Sequence, residues 1–177
     1  MSGHNKWSQI KHKKGASDAA KSKVWGKLAK RIIVESKKSG GDVTTPAMRT
    51  WIEKAKQANM PKENIDRAVK KGISNDAGAM ESVTYETYGP GGAAILIDAL
   101  TDNRNRTAQE IKHLLSENGL ELASQGSAAW AFAKLPAGGF EPTTTVTLSE
   151  DDTEKLMKVL EEIDAHDDVE DVFTNAA

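Results

Sequence analysis

The apolar residues of this chain recur with two different periods, and the change from one to the other falls at residues 73–82. Upstream, Ala20, Val24, Leu28 and Ile32 step by four, with Trp25, Ala29 and Ile33 beside them. That is the spacing of a helix face wide enough to bury. Downstream, residues 83–88 alternate, with Val83, Tyr85 and Thr87 on one side, as in a half-buried strand. The residues at the change are rich in Gly, Asn, Asp and Ser, the composition of a linker. The sequence therefore predicts a helical domain over residues 1–75 and an α+β domain over residues 76–177.

Caps and breakers divide the helical half into three helices. The first is expected to begin at Ser17 or Asp18 and to end at Gly40 and Gly41, with Lys37 and Lys38 near the negative end of its dipole. The second takes Thr45 as N-cap and Pro46 as its first helical residue, turns Met48, Trp51, Ile52 and Ala55 inward, and stops at Met60 and Pro61. The third covers residues 62–71, buries Ile65, Ala68 and Val69, and takes Gly72 as its C-terminal cap. A bundle of this size has little core to spare, because a domain near 60 residues buries only about 60% of its unfolded surface. Trp25 and Trp51 are accordingly read as core anchors.

The second half predicts an α+β sandwich: a mixed or antiparallel sheet with two helices, in the order ββα-β-βαβ. Its first two strands form a hairpin about Gly89, Pro90, Gly91 and Gly92. That turn joins two strands and opens no helix, so it is not read as a phosphate loop. Residues 101–107 supply N-caps for a helix that buries Ala108, Ile111, Leu114 and Leu115 and closes at Gly119. Residues 128–134 read as a strand with Ala128, Trp130 and Phe132 on one face, residues 134–142 as a loop, and residues 143–148 as a further strand. Ser149 and Asp152 offer a capping box to a helix that buries Leu156, Val159, Leu160 and Ile163, and residues 169–173 form the last strand.

Net charge is −2 over 177 residues, but the sum conceals a split. Residues 1–75 hold 18 Lys and Arg against 6 Asp and Glu, and residues 76–177 hold 6 against 20. The positive charge is densest at the start, where Lys6, Lys11, Lys13, Lys14, Lys21, Lys23, Lys27, Lys30 and Arg31 face a single acid, Asp18. Cations at that density repel one another unless a polyanion neutralises them, which points to a phosphate-binding surface. The arm, residues 2–14, is expected to be disordered alone and to order on RNA, with Lys6, Lys11, Lys13, Lys14, Lys21 and Lys23 on phosphates and His4 and His12 adding hydrogen bonds. Trp7 either stacks on an unpaired base or docks back on the bundle. Arg104 and Arg106, where a strand hands over to a helix, are a second candidate contact, with an intramolecular ion pair as the alternative. Lysine serves phosphate charge better than base identity, so ribosomal RNA is favoured as partner, with non-specific duplex DNA also open to such a surface.

No chemistry of turnover is indicated. The chain has no cysteine, which excludes disulfides and thiolate metal sites. Its four histidines, His4, His12, His113 and His166, include no pair at i,i+4 spacing, and no metal ligand set is read from them. Asp98 and Asp102, at a strand end, are read as structural. No catalytic residue, cofactor, metal or small-molecule substrate is expected. No apolar run approaches the roughly 18 residues of a membrane span, and no apolar segment follows the basic start, so a cytoplasmic protein without a membrane partner is expected.

Five blocks of the chain, in order, resemble one family. GHNKWSQIKHKKGASDAAKSK, ANMPKENIDRAVKKG, YETYGPGGAAILIDALTDNRNRT, GSAAWAF and DDVEDVFTNA together look like the YebC/PmpR family, which includes the mitochondrial translational activator of cytochrome c oxidase. The resemblance covers nearly the whole chain. It implies a helical N-terminal domain, an α+β domain and no catalytic activity. It also implies a role in gene expression, since family members are described as DNA-binding transcriptional regulators and several act at the ribosome, supporting translation of difficult stretches such as consecutive prolines. One departure is large: members carry a further α/β domain between the strands that resemble residues 128–132 and 143–148, where this chain has only a short connection.

Overall fold

The computed structural model describes Trp7 and residues 18–75, 78–136 and 138–177. They fall into two compact units: a helical one within Gly15–Met80, and an α+β one formed by Glu81–Ala177 together with Trp7.

The helical unit contains α1 (Asp18–Ser39), α2 (Pro46–Gln57) and α3 (Lys62–Ile73). Local chemistry sets the boundaries. Gly40 and Gly41 end α1 with positive φ, and the Thr45 hydroxyl accepts the Met48 N–H to cap α2. Ile32, Met48, Ala55, Met60, Ile65 and Ala68 form the core, with Trp25 and Trp51 packed at its edge. The Trp25 indole N–H also donates to the Ala58 carbonyl at 2.9 Å.

Two details differ from the sequence reading. Gly72 does not cap α3; it lies inside the helix, buried against α1, where a Cβ would come within 2.5 Å of the Ser36 Cβ and 2.6 Å of the Ile33 carbonyl oxygen. The apolar stripe of α1 is not buried along its length either: Ala20 is exposed and Val24 is 47% exposed. Length accounts for this. With 22 residues, α1 runs about 33 Å at about 1.5 Å per residue, whereas the 12-residue α2 and α3 each reach about 18 Å. Among the described residues, one end of α1 has no helix to lie against.

The α+β unit is built on a four-stranded antiparallel sheet, ordered β3-β1-β2-β6, from β1 (Glu81–Tyr88), β2 (Ala94–Thr101), β3 (Leu122–Ala123) and β6 (Val169–Thr174). The short turn Pro90–Gly92 joins β1 to β2, with Gly91 at φ 67° and Gly92 at φ 77°. Helices α4 (Arg104–Glu117) and α5 (Glu150–Asp164) cover one face. There Tyr85, Ile95 and Ile97 meet Ile111, Leu115, Leu156, Leu160 and Ile163. The other face is covered by Ala128, Ala131 and Phe132, which pack on Ala94 and Leu96. Central β2 is thus buried on both sides, which explains its unbroken apolar run.

The α+β fold and both helices agree with the sequence reading, but residues 122–148 do not. Leu122–Ala123 adds an unforeseen edge strand. Instead of one strand over 128–134, a 3-10 turn, Ala129–Ala131, precedes β4 (Phe132–Lys134), and Trp130 projects outward, 62% exposed. The supposed loop contains β5 (Phe140–Pro142), which pairs with β4 in a separate two-stranded ribbon. Residues 143–148 form no strand; Val146 makes a single parallel bridge to Ala176.

A buried carboxylate explains the second of these differences, the turn before β4. Glu86, 4% exposed, accepts the backbone N–H groups of Gly126, Ala128 and Ala129 at 2.6, 2.7 and 2.9 Å. Amides held by a side chain cannot enter a sheet ladder, so the chain turns there.

Candidate nucleic-acid interface

The sequence places the candidate cations in three groups, and the structure treats them differently. His4, Lys6, Lys11, His12, Lys13 and Lys14 lie outside the described residues. Lys21, Lys23, Lys27, Lys30 and Arg31 lie on α1, where Lys21 and Lys23 are exposed and Lys27, Lys30 and Arg31 are half-buried. Spacings of four, three and seven residues put Lys23, Lys27 and Lys30 on one helix face. Lys21 is 3.5 Å from Asp18, an exposed pair that water screens and a phosphate can displace at little cost.

Arg31 is held differently. Its guanidinium lies 5.5 Å from the centroid of Trp51, and the Lys54 ammonium lies 4.3 Å from the same ring. Cations are drawn to the electron-rich face of an indole, so Trp51 orients two positive charges at the edge of the bundle. The sequence reading gave Lys54 no role; the signal was its place one turn from Trp51 on α2, invisible until the ring's exposed side was known. The last turns of α2 and α3 add Lys54, Lys56, Lys70 and Lys71, all exposed.

Trp7 does not dock back on the bundle. It is 5% exposed and belongs to the core of the α+β unit, against α5 and the C-terminal segment, rather than to the bundle. Leu148, Leu156, Met157, Leu160 and Ala176 belong to the same core and line a small cavity together with Trp7. The signal in the sequence was weak, since a tryptophan without an apolar stripe of its own finds a distant partner only through tertiary packing.

Arg104 and Arg106 stand at the start of α4, and the structure separates them. Arg106 donates to Asp168 at 2.8 Å and to Asp102 at 3.0 Å, and Glu110 lies 3.9 Å away. Asp168, 6% exposed, also accepts the Thr107 hydroxyl at 2.7 Å. Hydrogen bonding to Asp168 first, opposed by burial and helped by Asp102, holds the guanidinium proton more firmly than usual. Arg106 is thus engaged inside the unit, while the Arg104 side chain is exposed and its carbonyl accepts the Tyr85 hydroxyl at 3.4 Å.

The same corner contains a cluster that spacing along the chain does not reveal. One ligand atom each from Glu110, His166 and Asp168 lies within 4.8 Å of the others. Its hydrogen bonds are those of a closed polar network. His166 Nδ1 accepts the Asp168 N–H at 3.1 Å, which leaves the proton on Nε2, 3.0 Å from Glu110. Arg106 already supplies positive charge to both carboxylates, so a metal ion would have to enter against a guanidinium. Asp98 and Asp102 are likewise engaged, by the Thr84 hydroxyl at 2.7 Å and by Arg106.

Comparison with known proteins agrees with this architecture. Residues 5–75 match the TACO1/YebC protein N-terminal domain, and residues 80–136 and 138–176 match the TACO1/YebC second and third domain. A "Probable transcriptional regulatory protein" of Fervidobacterium nodosum is 37% identical over 235 aligned positions, covering 99% of this chain and 93% of the relative. One of the same description from Thermotoga maritima is 46% identical over 178, covering 97% and 67%. Among solved structures, the conserved hypothetical protein Aq1575 from Aquifex aeolicus matches with a TM-score of 0.86 at 30% identity, covering 98% of this chain and 97% of that one. The Fervidobacterium alignment needs at least 235 − 177 = 58 positions that this chain does not have. The second match is interrupted at residue 137, between β4 and β5. Matched over nearly its whole length by both parts of one family description, the chain belongs to the TACO1/YebC family.

Proposed function

We propose that the chain is a non-enzymatic, nucleic-acid-binding regulator of gene expression that works at the ribosome, with ribosomal RNA as its main partner. The observation that carries this reading is the end of α1 that no other described helix covers. A helix longer than its described partners that carries Lys21 and Lys23 on exposed positions presents charge, which is useful to a protein that lies along a phosphate backbone. Lys6, Lys11, Lys13 and Lys14 extend the same surface in sequence, and His4 and His12 add hydrogen bonds. Arg104 is retained as a secondary contact. Arg106 is better regarded as the brace of its own corner.

A transcriptional reading uses the same basic surface on duplex DNA. The names of the relatives favour it, since both are described as probable transcriptional regulatory proteins. A predominance of lysine over arginine, asparagine and glutamine on α1 argues against base readout in the major groove. In the adaptor alternative, the basic unit meets an acidic protein, and its complexes survive nuclease.

Sedimentation of the tagged protein from lysate through a sucrose gradient, with and without ribonuclease, separates these readings when bound RNA and DNA are sequenced. Co-migration with ribosomal subunits that is lost at high salt supports the translational role. Recovery of a few promoter fragments without ribosomes replaces it with the transcriptional one. With about six phosphates neutralised, affinity for RNA falls about a thousandfold between roughly 50 and 200 mM salt. A flat salt response in a binding titration refutes a phosphate-led surface.

A further inference from the structure

The positive charge of the helical unit does not stop at α1. At about 100° per residue, Lys23, Lys27 and Lys30 share one face of that helix, and Arg31 lies on its flank, between that face and Leu28, which packs against the core. From there Arg31 meets α2: its guanidinium is 5.5 Å from the centroid of Trp51, and the Lys54 ammonium is 4.3 Å from the same point. The cationic surface thus passes from α1 to α2 at a tryptophan, wholly within one unit.

Two like charges drawn to one ring repel each other, and an indole face attracts both without carrying the negative charge that would neutralise either. Lys54 is the exposed member of the pair. Its neighbour Glu53 is turned about 100° away around the helix and lies 4.0 Å from Lys56 instead. A ring that holds cations has also given up room for stacking on a base. What this place offers a nucleic acid is charge in a fixed position, which suits a phosphate and reads no sequence.

We propose that Arg31, Trp51 and Lys54 form a phosphate fork, at which an RNA backbone that follows the lysine face of α1 crosses to α2. Trp51 is the positioning residue: by holding both cations beforehand, it removes part of the side-chain ordering that binding otherwise costs. The fork rests on the nucleic-acid reading above and extends it, because it brings α2 into the interface.

The test measures the affinity of the full chain for a single-stranded RNA of about 20 nucleotides between about 50 and 200 mM salt. Each phosphate contact on a single strand contributes about 0.7 to the slope of log affinity against log salt, so K54A lowers the slope by about 0.7 and the affinity about fivefold at about 100 mM. K158A removes an exposed lysine from the other unit and leaves both unchanged. A double-mutant cycle tests the ring. W51L keeps an apolar side chain at the edge of the core but no aromatic face, so K54A costs less affinity on the W51L background than on wild type. Thermal melts fix a temperature at which every variant is folded. A slope that K54A leaves as it was, or an equal loss in K158A, overturns the fork, and additive effects of W51L and K54A overturn the role of the ring. If the wild-type chain binds this RNA without salt dependence, or not at all, the nucleic-acid reading fails and the fork with it.

Discussion

Glu86 shows how one side chain can decide the path of a distant segment. Burial works against its charge, but the N–H groups of Gly126, Ala128 and Ala129 outweigh that and hold its carboxyl below the ordinary value of 4.5. A depressed folded-state value means that the unfolded chain binds the proton more readily. The contribution of Glu86 to stability is therefore complete above about pH 4.5 and is lost as the pH falls through its lower folded value. Replacing it by Gln removes one acceptor and points an amide donor at backbone donors, at a cost of about 2–4 kcal/mol near neutral pH. Thermal melts across pH 3–7 should show E86Q less stable at neutrality and less sensitive to acid; an unchanged profile would mean that Glu86 does not hold the turn. Alternation along β1 places Glu86 on the face opposite Tyr85, but nothing in that pattern reveals that residues 126–129 return to cover it. Trp130 was misplaced for the same reason: its outward direction follows from amides captured by a residue some forty positions earlier.

At the level of elements, legibility tracks the range of the interaction. The boundaries of α1, α2 and α5 and the hairpin β1–β2 could be read because their determinants lie within a few residues: paired glycines, a threonine before a proline, a Ser149 cap, a turn of consecutive glycines. The Ser149 hydroxyl indeed accepts the Asp152 N–H at 3.1 Å. Gly72 was misread because a cap and a close helix crossing call for the same residue, and only the neighbour distinguishes them. Where α3 meets α1, the Ser36 hydroxyl donates to the Val69 carbonyl at 2.7 Å. A methyl group at position 72 would press on backbone, at the Ile33 carbonyl, as well as on Ser36. G72A should therefore destabilise the helical unit by about 1–3 kcal/mol despite alanine's better helix propensity. Chemical denaturation followed through Trp25 and Trp51, with Trp7 and Trp130 replaced by Phe, checks this. A stabilised variant would show that the helices can move apart freely.

For the whole molecule, opposite charge and separate cores divide the labour. The helical unit combines a lysine-bearing helix with a compact core, while the α+β unit encloses a sheet covered on both faces and carries most of the acids. The fold class and the split in charge were legible because both are sums over many residues. The seat of Trp7 was not, because it depends on residues of α5 and the C-terminal segment some 140 or more positions away in sequence. The exposure of Lys21 and Lys23 on α1 follows the helical pattern of the sequence, whereas at the start of α4 the alternatives for Arg106 needed Asp168 to be located.

The ribbon of β4 and β5 shares no ladder with the four-stranded sheet, although Phe132 and Phe140 pack on it, and it pairs Phe132 with Pro142 and Lys134 with Phe140. Its two ends enter and leave side by side, so whatever is spliced between them meets the rest of the unit at one narrow stem. For an engineer it is a handle. A fluorescent protein spliced in after Gly138 should leave the melting temperature of both units within about 2 °C of the parent, since surface-loop insertions are far less costly than changes in a core. A large drop would show that the stem, for all its separateness, is part of the building.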